Sequence, residues 1–167
     1  QERLQEKIEQ SKKLNAPKDL EAFKIMIART IGYGKLAAFY PILEDYMKDL
    51  SPAVVKQAIL SAGSSQAPCF IKTLLSFLPN KSTRSAARKA LARYEPAELL
   101  PILEDVSRAP ETKTDLLIQL PALAETMETQ QAVDYLFALV QQEDPIVKME
   151  ALESLHKIKA RFPHLTI

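Results

Sequence analysis

Few residues in this chain are of types that do chemistry, and their spacing keeps them apart. Cys69 is the single cysteine, and His156 and His164 are the two histidines. A thiol nucleophile needs a base within hydrogen-bond reach, and both imidazoles lie far along the chain. Cys69 therefore reads as a small packed apolar residue. One cysteine forms no intrachain disulfide and builds no cysteine-based metal site. The acid pairs Glu44-Asp45 and Glu104-Asp105 end two matching pentapeptides, Pro41-Ile42-Leu43-Glu44-Asp45 and Pro101-Ile102-Leu103-Glu104-Asp105. A repeat duplicates such pairs automatically, so they read as solvated helix ends. Gly32-Tyr33-Gly34 is too short for a phosphate loop and lacks the Lys-Ser/Thr that would complete one. Its glycines are expected to end a helix with positive φ. No residue is assigned to catalysis, a cofactor or a metal.

The one concentrated signal is basic. Lys81, Arg84, Arg88, Lys89 and Arg93 fall on one helical segment, and Arg84 and Arg88 share a face one turn apart. The aligned positions in the next two segments are Lys113 and Lys148. Arg84, Arg88, Lys113 and Lys148 are thus the candidate binding residues, a ladder of cations across one face. The competing expectation pairs them with neighbours such as Glu111, Asp115 and Glu150, or leaves them in solvent.

The elements that would carry these residues are helices. Of 167 residues, 47% are apolar and 26% charged, a globular composition, and there are only three glycines and no Trp. Turn signals of the kind a β-protein needs are few. Twenty-two Lys and Arg against 21 Asp and Glu leave a net charge of +1, so no global field draws nucleic acid or anionic lipid. No apolar run reaches the ~18 residues of a membrane span. A lone cysteine fits a reducing compartment, and a cytoplasmic monomer is expected. The start at Gln1 and the apolar Leu165 and Ile167 at the other end suggest a fragment of a longer chain.

One proline-led pattern recurs. Asp144-Pro145-Ile146-Val147-Lys148 is followed by Ala151, Leu152 and Leu155; Ser51-Pro52-Ala53-Val54-Val55 by Ala58, Ile59 and Ala62. Asn80-Lys81-Ser82-Thr83-Arg84, Ala109-Pro110-Glu111-Thr112-Lys113 and Ala16-Pro17-Lys18-Asp19-Leu20 follow the same layout. Ser, Asn or Asp caps orphan N–H groups at a helix start, and proline next to it gives up an N–H that had no partner. The period matches a helical hairpin. Five hairpins are expected, over 1–31, 36–62, 67–94, 96–120 and 130–161. Their first helices are placed at 2–14, 36–49, 67–78, 96–107 and 130–142, and their second at 17–31, 52–62, 81–94, 110–120 and 145–161. Kinks are expected at Pro101 and Pro41, and Pro121 is expected to end or bend the fourth second helix. Leu4, Ile8 and Leu14 make a narrow stripe that suits a capping helix. The expected core comprises Leu74, Leu75, Phe77, Leu78, Leu99, Leu100, Leu103, Leu136, Phe137 and Val140.

The Asp-Pro-x-Val-Lys start, the alanine four positions on, and the preceding proline-containing, Leu-rich helix resemble HEAT repeats. The resemblance covers the chain from about residue 17. It implies an all-α, right-handed α-α superhelix (an α-solenoid) of about five hairpins, with second helices lining a concave face. The implied role is a non-catalytic scaffold that binds a protein partner or another domain of its own chain. The cap aspartate is kept only at Asp144, so an aspartate–base ladder between repeats is incomplete. Two alternatives stay open. One is a nucleic-acid-binding domain similar to HEAT-like DNA glycosylases, which the absence of Trp and the near-zero net charge disfavour. The other is a cytosolic regulatory appendage of a larger membrane or nucleotide-sensing protein. A di-iron site of the paired His-Glu kind fails, because neither His156 nor His164 precedes a Glu.

Overall fold

Ser51, Asp144 and Thr129 show how the helices begin. The Ser51 side chain accepts from the Val54 N–H, Asp144 from the Ile146 and Val147 N–H groups, and Thr129 from the Ala132 N–H. At two of the three, proline follows directly and supplies a φ already suited to the first turn. The computed structural model describes residues 2–11 and 17–167. Among the described residues all regular structure is helical, with no strand.

The order is α1 (Glu2–Ser11), α2 (Pro17–Tyr33), α3 (Tyr40–Tyr46), α4 (Pro52–Ser65), α5 (Ile71–Ser76) and α6 (Arg84–Leu91). There follow α7 (Pro96–Arg108), α8 (Thr114–Leu117), α9 (Pro121–Ala124), α10 (Gln130–Val140) and α11 (Pro145–Arg161). Short 3-10 turns at Ala37–Phe39 and Pro68–Phe70 lead into α3 and α5. Consecutive helices pack on one another: α1 on α2, α3 on α4, α5 on α6, α10 on α11. Longer-range packing joins α2 to α4, α4 to α6 and α9 to α11 in one series, and α5 to α7 and α7 to α10 in another.

Several expectations change in detail. The copy at Asn80 starts its helix late: Asn80 Oδ1 accepts from the Ser82 N–H at 2.9 Å, which makes a local turn, and α6 opens only at Arg84. The copy at Ala109-Pro110 starts no helix. Without a capping side chain at Ala109 the segment turns, with the Thr112 N–H bonded to the Ala109 carbonyl, and α8 begins at Thr114. The expected 110–120 helix is reduced to the single turn α8, and Pro121, expected to end or bend it, stands at the first position of α9 with no N–H to continue the ladder from α8. Pro41 sits at the start of α3, where proline is at home, while Pro101 lies inside α7. Of the α1 stripe, Ile8 packs partly buried against the core; the Leu4 side chain and Leu14 lie outside the described residues.

The core contains Leu74, Leu75, Leu78, Leu99, Leu100, Leu103 and Leu136 as expected. Phe77 and Val140 are half-buried, and Phe137 is 42% exposed. The reason for Phe137 is helical phase. The buried stripe of α10 runs through Ala132, Tyr135, Leu136 and Leu139, and Phe137 falls at its outer rim.

Small residues set the helix spacing. A Cβ built on Gly32 would lie 2.4 Å from the Ser61 carbonyl oxygen, and one on Gly63 would lie 2.4 Å from the Ala90 Cα. Gly32 therefore belongs inside α2 as a contact residue, and none of the glycines has positive φ. The left-handed residues after α2 and α4 are Lys35 (φ 48°) and Gln66 (φ 54°).

Gly63→Ala should destabilise the protein by roughly 1–3 kcal/mol despite alanine's better helix propensity, because α4 and α6 must separate. A urea melt showing equal or higher stability would contradict this packing. Leu103→Ala, at a fully buried site, should cost roughly 2–5 kcal/mol; a loss below about 1 kcal/mol in the same melts would mean that the cavity closes up.

Candidate interaction surface

Outward-facing stripes of α2, α4 and α6 form a joined surface. In α4 the 3.6-residue period puts Ala53, Lys56, Gln57, Leu60 and Ser64 on the face left exposed or half-exposed, opposite the buried Val54, Ala58 and Ala62. The matching stripe of α2 is Ala22, Met26, Arg29, Thr30 and Tyr33, and that of α6 is Ser85, Lys89 and Ala92, with Arg93 just beyond. Side-chain hydrogen bonds fix their register. Arg29 Nε donates to Gln57 Oε1 at 3.0 Å, and Arg93 Nη1 donates to Ser64 Oγ at 3.1 Å. At the C-terminal ends of the three helices, Lys35 Nζ donates to Gln66 Oε1 at 2.9 Å, and Gln66 Nε2 donates to the Arg93 carbonyl at 2.8 Å.

The sequence-derived candidates lie elsewhere on the scaffold. Arg84 Nε and Nη2 donate to the carbonyls of Leu78 and Pro79, both at 2.8 Å, and so close the end of the segment that follows α5. Arg88 Nη2 reaches across to Gln119 Oε1 at 3.0 Å, and its Nε is buried without a hydrogen-bond partner. Lys113 is exposed at the N-cap of α8, and Lys148 is half-buried in the first turn of α11. Among the described residues no hydrogen bond links these four to one another. Glu111, Asp115 and Glu150 are not the partners of either arginine.

Sequence reasoning passed over Arg29 and Lys56. Their signal was available: the outward stripe of each proline-led helix, read at period 3.6 and compared between helices. It was obscured by the densest run of cations, in which Arg84 and Arg88 are engaged by the protein itself.

Other chemistry-bearing groups are scattered. Cys69 is exposed, not packed, because it sits in the 3-10 turn Pro68–Phe70 and Phe70 takes the inward place. His156 is exposed on α11, and His164 Nε2 lies 3.6 Å from Glu128 Oε1. Glu44, Asp45 and Asp105 are exposed, while Glu104 pairs with Arg108 at 3.2 Å within α7. Among the described residues, no three His, Cys, Asp or Glu side chains gather closely enough to hold a metal ion, and no helix is long and apolar enough to cross a membrane. A shallow groove of about 420 Å³ lies between α7 and α10, lined by Glu104, Arg108, Asp134, Gln141 and Gln142 among others.

The rim of the α2–α4 junction is a charged clamp. Asp49 accepts from Lys24 Nζ at 2.5 Å and from the Ser51 N–H at 2.9 Å, and Ser51 Oγ donates to Glu21 at 2.5 Å. Burial alone would raise the Asp49 carboxyl; the two hydrogen bonds and the ammonium charge outweigh it and hold the group below its ordinary value of 3.8. No protein-family model matches the chain, and no curated protein matches its sequence.

Because Asp49 is depressed in the folded state, its contribution is complete above its ordinary value and is lost as the pH falls through the folded one. Asp49→Asn should therefore cost roughly 1–3 kcal/mol at neutral pH, and the gap to the parent should close as urea melts move from about pH 5 to about pH 3. A gap that stays constant over that interval would show that the carboxylate charge is not what the clamp uses.

Proposed function

We propose that the chain is a HEAT-like α-solenoid whose function is to bind another polypeptide, either a separate protein or a further domain of its own chain. The right-handed superhelix and its concave lining of second helices belong to this proposal. Packing between consecutive units supports it: α2 on α4, α4 on α6 and α9 on α11 in one layer, α5 on α7 and α7 on α10 in the other. Such nearest-neighbour stacking is how repeat arrays build extended surfaces. The observation that carries the functional part is the register-locked surface of α2, α4 and α6. Its side chains are fixed by bonds between helices, yet Lys56 and Lys89 engage no group of their own chain among the described residues. A surface held rigid in advance loses less entropy on binding.

Amine-reactive crosslinking of the intact chain to its captured partner tests this. Crosslinks should concentrate on Lys56 and Lys89, and Lys72, on α5 in the other layer, should be spared. Crosslinks spread evenly over both layers, or turnover of a small substrate without any partner, would refute the assignment.

A further inference from the structure

The charge on this surface is more one-sided than the net charge suggests. Between Ala22 and Tyr94 the carboxylates are Glu44, Asp45 and Asp49, while the same stretch holds half of the chain's 22 Lys and Arg. Glu44 and Asp45 belong to α3, in the other layer, and Asp49 follows that helix, where it is closed by Lys24 and Ser51. From Ala22 onward α2 has no carboxylate, and α4 and α6 have none at all. The joined stripes present Arg29, Lys56, Lys89 and Arg93, all exposed, with nothing negative between them. Asp19 and Glu21, at the start of α2, and the exposed Glu95, two residues past Arg93, are the acids nearest the margin in sequence.

Apolar groups are interleaved with these cations. Met26 is 36% and Tyr33 71% exposed on the α2 stripe, and Leu60 is half-exposed on α4 between Lys56 and Ser64. Lys56 and Leu60 are one turn apart. The Arg93–Ser64 bond sets α6 so that Lys89, one turn before Arg93, lies beside Leu60, one turn before Ser64. Cations thus flank the apolar groups of α2 and α4 on a surface that crosses three helices. With helices ~8–10 Å apart, that surface is roughly 20 Å across, a distance that about six residues of extended chain cover.

We infer that this surface takes an acidic segment of a partner protein, one in which carboxylates alternate with apolar side chains. The inference rests on the interaction-module assignment above and names the chemistry of the partner. Carboxylates would meet Arg29, Lys56, Lys89 and Arg93, and the apolar side chains would lie on Met26, Tyr33 and Leu60. A phosphate backbone fits less well. Four cations spread over three helices and separated by apolar groups make a sparse track for a polyanion whose affinity comes from many phosphate contacts. Charge complementarity of this kind sets the partner and the rate of encounter more than the final affinity.

The test uses the intact chain and a fluorescein-labelled peptide of about ten residues alternating Glu-Glu with Leu, with a DNA duplex measured at the same salt. The peptide should bind the parent, and binding should weaken as salt rises. Lys56→Glu combined with Lys89→Glu should weaken it by about tenfold or more, on the order of 1.4 kcal/mol. Lys72→Glu combined with Lys159→Glu, the same change in charge placed elsewhere, should leave it within about twofold, and circular dichroism melts of both variants should match the parent. No peptide binding at low salt, an equal loss in both variants, or tighter binding of the duplex than of the peptide would each overturn the inference. A captured partner that still binds the Lys56→Glu, Lys89→Glu variant undiminished would overturn it too, while the interaction-module assignment stood.

Discussion

Where α4 passes α2 and α6, Gly32 faces Ser61 and Gly63 faces Ala90 with no room for a methyl group. That clearance fixes how close three helices come, and side-chain hydrogen bonds between them depend on it. Arg29 reaches Gln57, Arg93 reaches Ser64, and Gln66 reaches both Lys35 and the Arg93 carbonyl, because the axes are close enough for side chains of ordinary length. A wider spacing would turn one continuous surface into separate ridges, each with its own loose cations. Helix proximity thus decides whether the surface is continuous, and it is controlled by buried residues.

Polar atoms inside the array are placed with similar economy. Tyr94 donates to the Ala67 carbonyl at 3.0 Å, and Tyr135 to the Leu103 carbonyl at 3.4 Å. Burial pushes both phenols above their ordinary range, so both remain donors. The Arg84 guanidinium serves two carbonyls, of Leu78 and Pro79, in the turn between α5 and α6. Each of these groups joins one helix to the next unit or closes a turn, so the polar interior reinforces the order in which the helices pack.

The helical class, most of the core and the starts of α4 and α11 were legible in the sequence, because proline beside a capping residue is a local signal with local causes. Ser51 and Asp144 behave as their types predict. Asn80 and Ala109 do not open helices, and each lacks one half of that signal: Asn80 has no proline after it, and Ala109 has no capping oxygen. Phe137 and Cys69 were misplaced for a shared reason. Each is an apolar residue in an apolar run, and only the phase of α10 or the 3-10 turn before α5 decides which neighbour turns inward. The surface itself was the least legible. A net charge of +1 averages a basic N-terminal half against acids elsewhere, and the sequence does not reveal that Arg84 is occupied by carbonyls while Lys56 is not.

The break at Pro121 has a mechanical consequence. Elsewhere α2, α4, α6 and α11 are continuous rods of two turns or more, but the segment between α7 and α10 consists of two single turns, α8 and α9. Single turns transmit little bending stiffness, since few backbone hydrogen bonds resist a change of angle along them. Polar links across this zone run from Arg88 to Gln119 on one side and from Glu125 to Ser154 and Lys157 on the other, beside the apolar packing of Leu120, Leu123 and Ala124 in the core. Strain applied to the ends of the molecule would collect there, leaving the glycine-locked helices undistorted and letting α10 and α11 change their attitude to them.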